Sequence, residues 1–417
     1  MSTGVVFQAG QIPALPNELI DHILCFMDDP SLKAVSLASS TLLYSARRHL
    51  FRSIVVDDVR EGRSSVDLQT SIVQSPWKMH SHLIRALEIG GTAPYATLIF
   101  FVSTLSGLHT LVIDSIQILD IPAPLPPPPT STRTIKTVSV HKFWRSTNKG
   151  VWYPGYPHEI DFHLLSVFSS ISHLKISAAT SLSPEGQVAS SSSSVSFPPR
   201  TKVTSRKLSQ IFHDVAAARS YVAVLLRSLD VTCLTALEIC VWPLYCVVGH
   251  APIYLAARHT LSDLTLVMSP PPGDSCRQLQ QEDSQFWSQL GLSLCHAVRT
   301  VRFALAFITL GPDSDVQRAS LWRHIIAILS TIPASSLSQI TFQGRLLDLP
   351  ASTTMDFPWE SFESTLLERS RDASQVLFDI QQSVRSEAKA SFEQAILQNL
   401  PRIRKKHTVL FEYSCSH

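Results

Sequence analysis

The residues of this chain whose spacing could point to chemistry are its histidines, cysteines, a short basic run and one aromatic cluster. His80 and His82 stand two apart, and His158 and His163 five apart. Neither pair has cysteines nearby, so neither matches the ligand spacing of a zinc site, and both read as surface or core histidines. Cys240 and Cys246 bracket Trp242-Pro243-Leu244-Tyr245 and read as small buried hydrophobes rather than a redox pair. No GxGxxG, P-loop, GxSxG or HExxH motif occurs. The run Arg402-Ile403-Arg404-Lys405-Lys406 follows a helical stretch. It reads as a solvated face at a helix C-terminus, where positive charge is favoured, rather than as a nucleic-acid contact. Trp144, Trp152, Tyr153 and Tyr156 fall in a loop containing proline and glycine, read as a satellite core in preference to a recognition surface. The expectation is a non-catalytic protein with no metal and no cofactor.

Composition narrows the partners. Charged residues make up 16% of the 417 and the formal net charge is +2, too balanced for a chain-wide nucleic-acid or membrane field. Mean hydropathy is +0.13, so much apolar surface must be hidden or must meet other proteins. The start, MSTGVVFQAG, lacks a basic segment and an apolar core, so no signal peptide is expected. The most apolar windows, Leu98 to Leu105 and Phe303 to Leu310, are far short of a membrane span. Seven scattered cysteines suit reduced thiols in the cytosol or nucleus.

The elements that would carry a binding surface come from a recurring pattern: apolar, two residues, apolar, one residue, apolar. It occurs at Ile84-Leu87-Ile89, Leu108-Leu111-Ile113, Ile135-Val138-Val140 and Ile171-Leu174-Ile176. It returns at Leu234-Leu237-Ile239, Leu261-Leu264-Leu266, Val298-Val301-Phe303 and Leu337-Ile340-Phe342. The last two apolar residues alternate with a variable one, a strand period. Helix-like stretches lie between, at Pro94 to Ser106, Glu159 to Ser170, Ser209 to Leu229, Pro252 to His259, Leu279 to Ala297 and Asp315 to Ile332. Strand-then-helix units in series predict an α/β fold, read here as an irregular leucine-rich-repeat-like solenoid, a horseshoe, over residues 57–417. An ordinary α/β domain with parallel strands is the other reading of the same pattern. Two interruptions are expected: a Pro-rich loop at about 122–132 and a disordered Ser-rich insert at about 181–207. Ser364 to Leu400 is predicted helical, with Thr408 to Tyr413 a closing strand. In a horseshoe the variable residue of each strand faces the concave side. Glu88, Lys175, Glu238, Trp242, Arg302 and Gln343 are the candidate target-binding residues there, a mixed set with no dominant charge.

Ahead of the repeats, Leu15 to Val56 predicts a group of short helices after a flexible stretch at 1–12. Pro16 suits a first helical turn. Leu19, Ile20, Ile23, Leu24 and Met27 share one stripe. Asp28-Asp29-Pro30-Ser31 stops one helix and starts another, with Asp29 as N-cap. The cluster Ser39-Ser40-Thr41 kinks or divides the second stripe. About 40 residues make too small a core to stand alone.

The order Leu15-Pro16, Glu18-Leu19, Ile23-Leu24 and then Arg47-Arg48-x-Leu50-Phe51 resembles the F-box, as found in fungal F-box proteins that carry a divergent repeat region. The resemblance covers residues 13–56, about a tenth of the chain, and departs from the family in the small-residue run Ser36 to Thr41. It implies a substrate-recognition subunit of a cullin-RING ubiquitin ligase. Leu15, Pro16, Leu19, Ile20, Ile23 and Leu24 would contact the ligase adaptor, and through it a cullin. The repeat region would hold an unknown protein target, with no nucleic acid and no membrane involved. The other reading is a repeat-based interaction scaffold with no ubiquitin role.

Overall fold

The computed structural model describes residues 15–57, 82–114, 117–119, 133–141, 144–146, 152–154, 164–178, 200–211, 215–242, 244–268, 284–305, 314–345, 357–381 and 386–414. Three helices come first: α1 (Asn17–Leu24), α2 (Asp29–Ala38) and α3 (Leu43–Leu50). The rest is strand and helix in alternation. The strands are β1 (Ser53–Asp57), β2 (Ala86–Gly90), β3 (Thr92–Pro94), β4 (Thr110–Asp114), β5 (Gln117–Leu119), β6 (Thr134–His141), β7 (Trp144–Ser146), β8 (Trp152–Pro154) and β9 (Ser170–Ala178). They continue with β10 (Thr201–Ile211), β11 (Leu229–Asp230), β12 (Ala236–Trp242), β13 (Asp263–Met268), β14 (Thr300–Leu305), β15 (Leu337–Gly344), β16 (Ser370–Ile380) and β17 (Thr408–Tyr413). The helices among them are α4 (Tyr95–Thr104), α5 (Val215–Ser228), α6 (Ala251–Ala256), α7 (Ser284–Ser288), α8 (Ser314–Thr331), α9 (Trp359–Arg369), α10 (Ser386–Asn399) and α11 (Pro401–Lys406).

The strands form one 13-stranded parallel sheet in the order β1-β2-β4-β6-β9-β10-β12-β13-β14-β15-β16-β17, with β11 beside β10. The sheet is open, with β1 and β17 at its edges. This corrects the expected horseshoe: the chain is an α/β fold on a broad parallel sheet, and a solenoid is not what it builds. Its helices run from five residues in α7 to 18 in α8, so no unit of constant length recurs to impose a regular curve. A small second sheet, β3-β5-β7-β8, begins just past the C-terminal ends of β2, β4 and β6. Between β2 and β3 the chain turns at Gly91, whose φ of 74° is strained for any residue with a Cβ.

All eight apolar repeats supply strands, and they align across the sheet. Leu87, Leu111, Val138 and Leu174 are register partners in turn, as are Leu237, Leu264, Val301 and Ile340. A second buried row two residues on includes Ile89, Ile113, Val140, Ile176, Ile239, Leu266, Phe303 and Phe342. Toward the C-terminal edge this row turns aromatic. Phe303, Phe342, Phe378 and Phe411 stack on successive strands, with centroids 5.5 to 5.8 Å apart, and Trp322, Phe362 and Phe392 pack on them edge-on or tilted.

The strand starts share a backbone device. The carbonyl of Arg52 accepts from both Arg85 and Ala86 N–H. Arg85 does so for His109 and Thr110, Ser262 for Arg299 and Thr300, and Arg299 for Ser338 and Gln339. One carbonyl thus satisfies two donors of the next strand, which fixes register before the ladder begins.

Three stretches differ from expectation. Trp144, Trp152 and Tyr153, counted in a loop, belong to the antiparallel pair β7 and β8. Residues 201–207, counted in the Ser-rich insert, belong to β10 in mid-sheet. Residues 370–380, counted as helix, are β16, because Val376, Phe378 and Ile380 alternate into the core. The Pro-rich stretch at 122–132, and the insert up to residue 199, lie outside the described residues. So do residues 1–12, Tyr156, His80, His158 and His163.

Candidate protein-interaction surfaces

The N-terminal helices present a surface of their own. The Pro16 carbonyl starts α1 by accepting from Leu19 and Ile20 N–H at 3.0 and 3.1 Å. The N-cap of α2 is Asp28, one residue before the expected Asp29. Its carboxylate accepts from Ser31 N–H at 3.0 Å, and the Ser31 hydroxyl, then this N–H, hold its pKa below the ordinary value. Ser39 ends α2, and its hydroxyl lies 2.8 Å from that of Thr41, so this cluster divides the second stripe into α2 and α3. Leu24, Leu32 and Ala46 are the fully buried apolar residues of the three helices. Asp21 ties α1 to α3 through Arg48 at 3.1 Å, with His49 at 3.8 Å.

This arrangement sorts the candidate adaptor residues. Leu19 and Ile23, one turn apart on α1, are 49% and 52% exposed, and Leu15, just before the helix, is 54% exposed. Ile20 is half-buried and Pro16 exposed. Leu24 points into the module's own core and so is withdrawn from the contact set. Phe26, 77% exposed just past α1, extends the stripe. Sequence reasoning missed it, although its spacing from Leu19 and Ile23 carried the signal. Leu37, on α2, and Tyr44, on α3, are also exposed.

The second surface is the sheet face opposite the buried rows. Glu88, Val112, Ser139, Lys175, Lys207, Glu238, Thr265 and Arg302 form one cross-strand row. Glu88 is exposed, while Lys175, Glu238 and Arg302 are half-exposed. Lys207, contributed by the unforeseen β10, forms an ion pair with Glu238. At β15 and β16 the row closes, because Thr341 and Leu377 are buried. Gln343 sits one row further on and donates to Asp379 Oδ2 at 2.7 Å. Trp242 ends β12 in register with Ile211, two rows beyond Glu238. The face is therefore polar and mixed in sign, and it belongs to an open parallel sheet.

Among the described residues no group of three His, Cys, Asp or Glu is placed to hold a metal ion. Cys246 and Cys295 are buried and Cys240 half-buried, all free thiols, and burial raises Cys295 to about 11. No helix among the described residues is long and apolar enough to cross a membrane. Neither models of known protein families nor curated proteins give a match to this chain.

Proposed function

We propose that this protein is a non-catalytic substrate receptor of a cullin-RING ubiquitin ligase, acting in the cytosol or nucleus. The helices α1 to α3 would dock on the ligase adaptor and the sheet would present a target. One observation carries the reading: Leu19 and Ile23 stand exposed on α1, with Leu15 and Phe26 exposed just before and just after it, while Leu24, Leu32 and Ala46 are already buried. An exposed apolar stripe of this kind marks a protein contact. The sequence resemblance to the F-box gives that contact its occupant. Tethering then raises the local concentration of target beside the ubiquitin-carrying subunits, which supply the chemistry.

The test is capture of recombinant adaptor by the full-length chain, with Leu15→Ala/Leu19→Ala/Ile23→Ala beside it. The expected result is capture by the wild type and at least a tenfold loss in the variant at unchanged melting temperature. No capture by the folded wild type, or equal capture by the variant, would overturn the reading. The three helices would then be only a cap on the β1 edge.

A further inference from the structure

The C-terminal edge of the sheet leaves its inner row unfinished. Val409, Phe411 and Tyr413 of β17 continue the row of Val376, Phe378 and Ile380 on β16. The three β16 residues are buried, whereas the three on β17 are only half-buried. Phe411 packs on Phe378 and Phe392, and Tyr413 meets Lys389 and Glu393, but among the described residues no strand continues the row beyond them. The backbone is open on the same side. The Ser414 N–H donates to the Ile380 carbonyl at 3.0 Å. Counting back by the strand period of two, Leu410 and Glu412 also turn their amides to β16, and Val409, Phe411 and Tyr413 turn theirs outward. Each of these three then offers a donor and an acceptor to one further strand.

Three cations stand at the start of this edge. Arg404, Lys405 and Lys406 are exposed in the last turn of α11, which reaches β17 through His407 alone. Among the described residues none of the three is in an ion pair, while Arg402 on the same helix is taken by Glu363. A six-residue helix has little dipole for three cations to satisfy. His407 is buried and fixes the junction. Its Nδ1 lies 2.8 Å from the Ser374 hydroxyl and its Nε2 3.2 Å from that of Ser370. The charges are thus held at a set place beside the edge. Strand β17 itself carries one charge, Glu412, near its far end, so the cationic character is confined to the end where the strand begins.

We propose that the β17 edge binds an extended acidic segment of a partner protein, which adds a parallel strand to the sheet. Its main chain would pair with Val409, Phe411 and Tyr413, and its alternate apolar side chains would complete their row. Asp or Glu residues ahead of that strand would meet Arg404, Lys405 and Lys406. The edge lies apart from the α1 stripe and from the polar face, so its occupancy does not depend on the receptor reading. The test is fluorescence anisotropy of a labelled peptide, Glu-Asp-Glu-Asp-Thr-Val-Thr-Val-Thr-Val, titrated with the full chain. Saturable binding is expected, about tenfold weaker for Arg404→Ser/Lys405→Ser/Lys406→Ser at unchanged melting temperature, and lost in Val409→Pro. Proline at 409 removes an outward N–H and no bond to β16, so the fold should tolerate it. No binding by the wild type would overturn the proposal and leave the cations as guards against edge-to-edge aggregation. Undiminished binding by either folded variant would also overturn it. If Val409→Pro does not fold, a peptide N-methylated at its threonines, whose amides would face β17, takes its place, and undiminished binding of that peptide would overturn strand addition. Tighter binding of oligothymidylate of equal length would assign the cations to a nucleic acid and overturn the proposal as well.

Discussion

Replacing Glu363 with glutamine should loosen the C-terminal end of the sheet by about 2 kcal/mol. Glu363, on α9, is buried and caps α11 from outside. Its Oε1 accepts from the N–H groups of Arg402 and Ile403 at 2.6 and 3.1 Å, and its Oε2 from Arg402 Nε at 2.8 Å. Hydrogen bonds to a charged group contribute about 1.5–3 kcal/mol each. The Arg402 side chain is half-exposed, so the ion pair itself adds at most about 1 kcal/mol. Glutamine keeps one acceptor oxygen and loses the charge, hence about 2 kcal/mol. Alanine leaves the buried Ile403 N–H and the part-buried Arg402 N–H without the carboxylate, about 3–4 kcal/mol by the same rule. Because α11 leads directly into β17, hydrogen exchange over residues 400–414 is the local readout and urea unfolding the global one. Burial raises the Glu363 pKa, but the bonds from Arg402 and Ile403 outweigh it and hold it below the ordinary 4.5. A depressed carboxylate stabilises fully above its unfolded pKa and loses that effect as pH falls through its folded value. The gap between wild type and Glu363→Gln should thus be constant near neutrality and close below pH 4.5. Equal exchange over 400–414 in both proteins at pH 7 would show that the helix end does not depend on the carboxylate.

Two further outcomes follow from the core. Phe342→Ala removes a buried ring in contact with Phe303, Trp322, Phe362 and Phe378 and should cost about 3–5 kcal/mol in urea unfolding; a loss under about 1 kcal/mol would mean the stack is not a packing unit. His250 and His324 are both pushed to about 4, chiefly by burial, so the unfolded chain protonates first and stability falls as pH drops from about 6.5 toward 4. Each histidine should give a slope of about 1.4 kcal/mol per pH unit in that window. Urea midpoints across it should show His324→Asn removing about half of the combined slope, with no change above pH 7.

The strands were legible where every key position was apolar. Leu87 and Ile89, or Val301 and Phe303, announce both a strand and its buried face. Strand β10 follows the same spacing at Val203-Arg206-Leu208, but its middle position is charged, so an apolar pattern passes over it. Strand β16 was hidden by its neighbours, since helices precede and follow Val376-x-Phe378-x-Ile380 and the whole stretch averages to a helical composition. The horseshoe failed for another reason. Periodicity tells which residues face inward, but the course of a sheet depends on how much wider the helices are than the strands they cover, and that is not written at any one position. On α1 the apolar stripe was visible, yet only packing divides Leu24, spent on the module's own core, from Leu19 and Ile23, left outside.

In the main path of the sheet each strand lies beside the one made before it, apart from the small strands of the second sheet and the short β11. A growing chain can therefore add strands in the order of synthesis. None need wait for a distant partner, and the double-acceptor carbonyls at the strand starts set each arrival in place. Strand β17 follows β16, and among the described residues its outer edge meets no further strand of this sheet. A chain interrupted late in translation would keep its earlier strands paired and present β16 as a fresh edge, with Phe378 stripped of its Phe411 cover. Such a fragment would be ordered for most of its length and prone to aggregate at one end.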